Sequence, residues 1–149
     1  MPESAGLMRG KRGLILGVAN NRSIAWGIAK SARAHGAELA FTYQGDALKK
    51  RVEPLAKEVG GLVVGHCDVT DPASIDAVFA ATATHWPTID FLVHCLAFAD
   101  HTYLKKEYGN FTSTPRQVYT QAVDISAYSL IALTRACRMW RARQGGRRS

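Results

Sequence analysis

Across Leu14-Ile15-Leu16-Gly17-Val18-Ala19-Asn20-Asn21-Arg22-Ser23-Ile24-Ala25-Trp26-Gly27-Ile28-Ala29, an apolar run passes through small residues into an amphipathic helical pattern. This is the order of a phosphate-binding turn, in which a strand hands over to a helix whose first N–H groups face an anion. Gly17 has no Cβ, which suits a sharp bend that a pyrophosphate must approach closely. Ser23 stands where a side chain can cap the helix and offer its hydroxyl to a ligand. Gly27 and Ala29 are small enough for the helix to pack closely on the strand beneath.

Further candidates lie at later strand ends. In a dinucleotide fold the second strand commonly ends in an acid that grips the adenosine ribose. Here that position is Gln44, an uncharged hydrogen-bonding group that favours NAD. Lys49, Lys50 and Arg51 stand nearby and keep NADP as the less favoured option. Asp68 can accept a hydrogen bond from an adenine amino group while Val69 covers the ring, or it can simply cap its own loop. His94 sits inside an apolar strand and reads as a satisfied core histidine rather than an acid–base group. Cys67, Cys95 and Cys137 are scattered and lack metal-ligand spacing, so they read as small buried side chains and no metal site is expected.

The positioning elements follow from periodicity and punctuation. Strands are expected at Lys11–Leu16, Glu38–Tyr43, Leu62–Cys67 and Asp90–Leu96, the last almost continuously apolar as a strand covered on both faces should be. The first helix runs from near Ser23 to His35-Gly36. The second starts at an Asp46 N-cap and reaches about Val59, with Pro54 expected to kink or divide it. Asp71-Pro72 opens a third helix that ends near Thr84, before Trp86-Pro87. Residues 97–114 read as a polar loop, and a long helix follows from near Pro115. On that helix Val118, Ala122, Ile125, Ser129, Leu133, Ala136 and Trp140 form one stripe. Alternating strands and helices with short connections predict an α/β, Rossmann-like, doubly wound parallel sheet of about four strands and four helices.

Bulk properties narrow the class. The 149 residues fit one domain, and 47% hydrophobic with 21% charged residues is an ordinary globular balance. No apolar run is long enough to span a bilayer, and Met1–Leu7 lacks the apolar core of a signal peptide. Odd, scattered cysteines favour a reducing, cytoplasmic setting. The net charge of +7 suggests nucleic acid until it is located. Arg138, Arg141, Arg143, Arg147 and Arg148 carry five of those charges, and no acidic residue follows Asp124. The rest of the chain holds +2, so nucleic acid and membrane are not the expected partners.

The glycine turn lacks the full G-x-G-x-x-G spacing, but it matches another pattern. The chain resembles the bacterial type I enoyl-acyl-carrier-protein reductases, a divergent branch of the short-chain dehydrogenase/reductases. Their G-x5-S-x-A-x-G-x-A turn is matched by Gly17, Ser23, Ala25, Gly27 and Ala29. Phe41-Thr42-Tyr43-Gln44, Cys67-Asp68-Val69-Thr70-Asp71, Ala97-Phe98-Ala99 and Asp124-Ile125-Ser126-Ala127-Tyr128-Ser129 follow in the family's order. The resemblance implies NADH-dependent reduction of the trans-2 double bond of an acyl-carrier-protein thioester in fatty-acid elongation. It carries cofactor contacts onto Gly17, Ser23, Ile24, Gln44, Asp68, Val69 and Leu96, and turns the backbone around Ala99 toward substrate.

The family's catalytic tyrosine, with a lysine beyond it, has no counterpart here, so no catalytic residue is assigned. The spacing Tyr-x6-Lys occurs at Tyr43 and Lys50, a strand and a helix at the adenosine end, and is coincidental. Residues 1–10 read as a lead-in, residues 11–136 as the N-terminal part of a dinucleotide-binding domain, and residues 137–149 as an atypical arginine-rich tail. The expectation is a shifted-frame or fragmentary reading of a longer gene, inactive alone. It would be an incomplete sheet with an open edge at the fourth strand, poorly soluble, and without the homotetramer that the family forms. Its alternatives are a non-catalytic NAD-binding fragment and a small basic protein that touches nucleic acid or a membrane surface.

Overall fold

The computed structural model describes residues 6–105 and 111–145. The chain alternates β1 (Arg12–Leu16), α1 (Ile24–Ala34), β2 (Glu38–Tyr43), α2 (Asp46–Glu58), β3 (Leu62–His66), α3 (Pro72–His85) and β4 (Phe91–His94). Two single 3-10 turns at His101–Leu104 and Phe111–Ser113 follow. A long helix then runs as α4 (Arg116–Val123), a π-helical turn (Asp124–Tyr128) and α5 (Ser129–Gly145). The strands lie in the order β3-β2-β1-β4 and every pair is parallel. This is the expected doubly wound α/β architecture.

β1 is central because its residues are apolar on both sides. Leu14, Ile15 and Leu16 are fully buried. Leu14 and Leu16 meet Ile75, Val78 and Phe79 of α3 and Leu133 and Trp140 of α5. Ile15 points the other way, to Ala25, Trp26 and Ala29 of α1, Phe41 of β2, and Val52 and Ala56 of α2. The period of two in a strand thus builds a core on each face of the sheet. β2 and β3 grow to one side of β1 and β4 to the other, so the direction of winding reverses beside β1. A crevice opens outside the carboxyl ends at such a reversal.

Several local expectations change. Gly27 is exposed and a Cβ there would meet nothing within 4 Å. The close packing of α1 instead rests on Ala25, Trp26 and Ala29. Asp46 is the first residue of α2, not its cap; Gly45 is the N-cap, at φ +79. Pro54 does not divide α2. It lies on the exposed side, where the carbonyl it leaves unpaired can meet water, while Val52 and Ala56 anchor the opposite face.

β4 is shorter than expected because Asp90 brackets the start of β1 instead. Its side chain accepts the Arg12 N–H at 2.8 Å, and its own N–H donates to the Arg12 carbonyl at 2.7 Å. All four residues of β4 are half-buried rather than fully covered. Phe91 and Val93 face the α1 side and Leu92 the α3 side. The long-helix stripe does face inward: Ser129, Leu133 and Trp140 are buried and its other members half-buried. α5 passes through Ala136–Cys137 without interruption, and the Trp140 ring lies 6.2 Å from that of Phe79. Residues 146–149 of the tail lie outside the described residues.

Candidate functional site

A cleft of about 510 Å³ opens at the carboxyl ends of the strands. Gly17 of the turn after β1, Gln44 after β2, Asp68 and Val69 after β3, and Leu96 after β4 all line it. These five were selected from sequence, and the winding reversal brings them together. Ser23 and Ile24 are not in the lining; they sit at the end of the same turn, where α1 begins. Ala99 is exposed and also outside the lining, one residue beyond Phe98, which is in it.

Gly17 is required for two reasons. Its φ of +101 is strained for any side chain. A Cβ would also stand 2.0 Å from the Cys95 carbonyl oxygen. The turn therefore presses against the end of β4, narrowing the crevice from within the protein, before any ligand is considered.

Ser23 does something other than cap α1. It occupies the N-cap position, but its hydroxyl makes no bond to the helix. The oxygen turns back and accepts the N–H groups of Ala19 at 3.0 Å and Asn20 at 3.1 Å. Asn20 closes the same loop by accepting the Arg22 N–H on Oδ1 at 2.8 Å. The Ser23 hydroxyl proton is left to donate outward. The Ser23 carbonyl accepts the N–H groups of Trp26 and Gly27, so those of Ile24 and Ala25 have no acceptor within the helix. A hydroxyl proton and two N–H groups at a positive helix end suit an anion.

Asp68 caps its own loop and keeps capacity to spare. Its Oδ1 accepts both the Thr70 hydroxyl at 2.7 Å and the Thr70 N–H at 2.9 Å. These bonds, the hydroxyl first, hold the carboxyl below its ordinary range, so it stays ionised. Oδ2 has no hydrogen-bond partner among the described residues, which leaves an oriented acceptor. Cys67, beside it, is buried, and burial followed by the Asp68 charge pushes its thiol up to about 11. It is a small apolar wall, not a nucleophile.

The far wall comes from α4 and the π-helical turn that follows it. Gln121 and Ile125, four residues apart on one helix face, both line the cleft. Neither was chosen from sequence, although the stripe through Ile125 marks the face and Gln121 lies beside it. Ser126 and Ser129 fasten this helix to the end of β4. Ser129 is buried, donates to the Ile125 carbonyl at 2.7 Å, and stands 2.7 Å from His94 Nε2. With the hydroxyl proton directed to the carbonyl, His94 donates Nε2–H to the serine oxygen. His94 is thus a positioned structural residue, as its apolar strand suggested. Tyr43 ends β2 and Lys50 lies in α2, at the Gln44 side of the cleft. Among the described residues no three of His, Cys, Asp and Glu come together.

The family model described as Enoyl-(Acyl carrier protein) reductase matches residues 17–147. The chain belongs to the enoyl-acyl-carrier-protein reductase family. The family match reaches past Ala136 into the arginine-rich stretch. Among curated relatives, enoyl-[acyl-carrier-protein] reductase [NADH] 1 of Rhizobium meliloti (strain 1021) is 57% identical over 133 residues, covering 89% of this chain and 48% of its own. The crystal structure of the NADH reductase of Aquifex aeolicus VF5 superposes with a TM-score of 0.84 at 45% identity, over 90% of this chain and 52% of that one. That of Anaplasma phagocytophilum, in complex with NAD, gives 0.81 at 44%, over 88% and 49%. The chain therefore spans about half the length of the curated relatives it matches.

Proposed function

We propose that the cleft holds the adenosine and pyrophosphate of NADH, as the cofactor-binding part of a reductase acting on the trans-2 double bond of an acyl-carrier-protein thioester. The observation that carries this reading is the convergence of Gly17, Gln44, Asp68, Val69 and Leu96 on one crevice at the winding reversal. The names of the relatives, which specify NADH, and the NAD complex of the Anaplasma reductase support it.

In this reading the pyrophosphate meets the Ser23 hydroxyl and the Ile24 and Ala25 N–H groups. Gln44 bonds the ribose, the free oxygen of Asp68 accepts from the adenine amino group, and Val69 covers the ring. Leu96 flanks the nicotinamide half, and the backbone at Ala99 faces substrate. NADPH is the less favoured cofactor because Gln44, which lines the cleft after β2, carries no charge for the extra phosphate. Of the nearby cations Lys49, Lys50 and Arg51, Lys49 is already 3.8 Å from Glu53 and lies over the Tyr43 ring. The cofactor supplies the hydride. These residues hold and orient it, and the enolate-stabilising tyrosine and its lysine are not among them. The 149 residues alone are therefore proposed to bind nucleotide without turning over, and without forming a tetramer.

Titration of the 149-residue chain with NADH, followed by nicotinamide fluorescence, tests the reading. Saturable binding, weaker for NADPH, with no NADH oxidation on addition of a crotonyl thioester, is expected. Absence of NADH binding overturns it, and oxidation of NADH overturns the statement on turnover.

A further inference from the structure

We infer that His66 is a positioning residue for the Gln44 turn, and so for nucleotide binding at this cleft. The inference rests on the reading above, in which Gln44 contacts the adenosine ribose.

The β2–β3 pairing slips by one residue between Phe41 and Thr42, so that Phe41 pairs with Val63 but Thr42 with Gly65. The extra residue lets β3 finish with His66 opposite Tyr43. The imidazole then lies beside the first residues of the β2–α2 turn. His66 Nδ1 stands 3.1 Å from the Gly45 nitrogen, across 21 positions of sequence. The Gly45 N–H can only donate, so Nδ1 accepts and the ring proton sits on Nε2. The next rung, the Cys67 N–H to the Tyr43 carbonyl at 2.8 Å, ties the same strand ends together.

Gly45 needs that support. It adopts φ +79, caps α2 without a side chain of its own, and accepts the Lys49 N–H on its carbonyl at 3.0 Å. Glycine at such a φ is free to adopt others at little steric cost. Its N–H bond to His66 is the contact from outside the turn that fixes where the preceding residue, Gln44, points. The ring is also 6.3 Å from that of Tyr43, the residue before Gln44. Gln44 bears on the nucleotide; His66 acts through it.

The required feature is an acceptor at the Nδ1 position. The Oδ1 of asparagine can stand there, whereas alanine has no acceptor. The experiment measures ADP-ribose and NADH binding to the 149-residue chain and to His66→Ala, His66→Asn and Gln44→Ala, with thermal melts of each. His66→Ala is expected to weaken ADP-ribose and NADH by about three- to tenfold, the range of one net neutral hydrogen bond. His66→Asn restores most of that loss. In a Gln44→Ala background the His66→Ala change adds little, because the group it positions is gone.

Equal binding by the unmodified chain and His66→Ala overturns the inference and leaves the nucleotide reading standing. So does a His66→Asn chain that melts normally but binds as weakly as His66→Ala. If His66→Ala fails to fold, His66→Asn alone decides: unchanged binding supports the inference and weakened binding overturns it. No ADP-ribose binding by the unmodified chain overturns both.

Discussion

Ser126 grips the backbone of Phe98 from both sides: its oxygen accepts the Phe98 N–H at 3.0 Å and its proton points to the Phe98 carbonyl at 3.2 Å. A single hydroxyl on the π-helical turn therefore does for the loop after β4 what a neighbouring strand would do. Phe98 lines the cleft, so the bond fixes a wall of the candidate site. Ser126→Ala removes both bonds at a half-buried position. A loss of about 1 kcal/mol in urea denaturation is expected, with weaker NADH binding. Ser126→Thr, which keeps the hydroxyl, should retain most of both. Equal stability and binding in Ser126→Ala would show that the loop is held by other contacts.

Two glycines of the family motif should respond in opposite directions. Gly17→Ala places a methyl group against the Cys95 carbonyl at a φ of +101. It should cost at least about 2 kcal/mol from strain and overpacking together. Gly27→Ala adds a methyl group to an exposed helical position with nothing within 4 Å. It should stabilise by about 0.5–1 kcal/mol, the helix preference for alanine over glycine. Urea midpoints of the two variants give the comparison directly. A destabilised Gly27→Ala would mean that α1 packs through that face after all.

These residues also mark what could be read from sequence. The sheet was legible because each strand is a short apolar run bounded by a helix signal, and parallel alternation admits few windings. The cleft was legible because it lies where strand ends must converge. Gly27 was misjudged, although Ala25 and Ala29 are one helical turn apart and Gly27 falls between them on the other side. The role of Ser23 was not legible. A serine at an N-cap can accept from the helix or from the preceding loop, and the choice depends on the loop path. Nothing in Asp124–Tyr128 signals a π-helical turn, since a stripe at three- and four-residue spacing accommodates one extra residue without losing its face.

The Asp68 carboxylate should give a pH signature. The Thr70 hydroxyl, then the Thr70 N–H, lower its folded-state value below the ordinary one. A lowered value stabilises the fold fully above the unfolded value of about 4. That contribution fades as pH falls through the lower folded value. Thr70→Val, which deletes the hydroxyl, should be less stable than the unmodified chain near neutral pH. The gap should shrink below about pH 4. Urea denaturation in paired acid and neutral buffers measures it. A gap of constant size across that range would show that Thr70 acts without reference to the Asp68 charge.

Trp140 tests whether the arginine-rich stretch contributes to the core. It is 6% exposed, stacks near Phe79, and shares a cluster with Leu14 and Leu16 of the central strand. Its Nε1–H is buried without a partner among the described residues. Trp140→Ala should cost about 3–5 kcal/mol, the usual consequence of emptying so large a buried site. Trp140→Phe keeps a ring against Phe79 and removes the unpartnered N–H, so the lost area is offset by a relieved desolvation penalty. Its stability should stay within about 1 kcal/mol of the unmodified chain. A chain ending at Ala136 should behave like Trp140→Ala or worse, because it loses the same side chain and the last turns of α5. Urea midpoints and tryptophan fluorescence separate the three. If Trp140→Ala melted like the unmodified chain, α5 beyond Ala136 would be an appendage, and the core would end with Leu133.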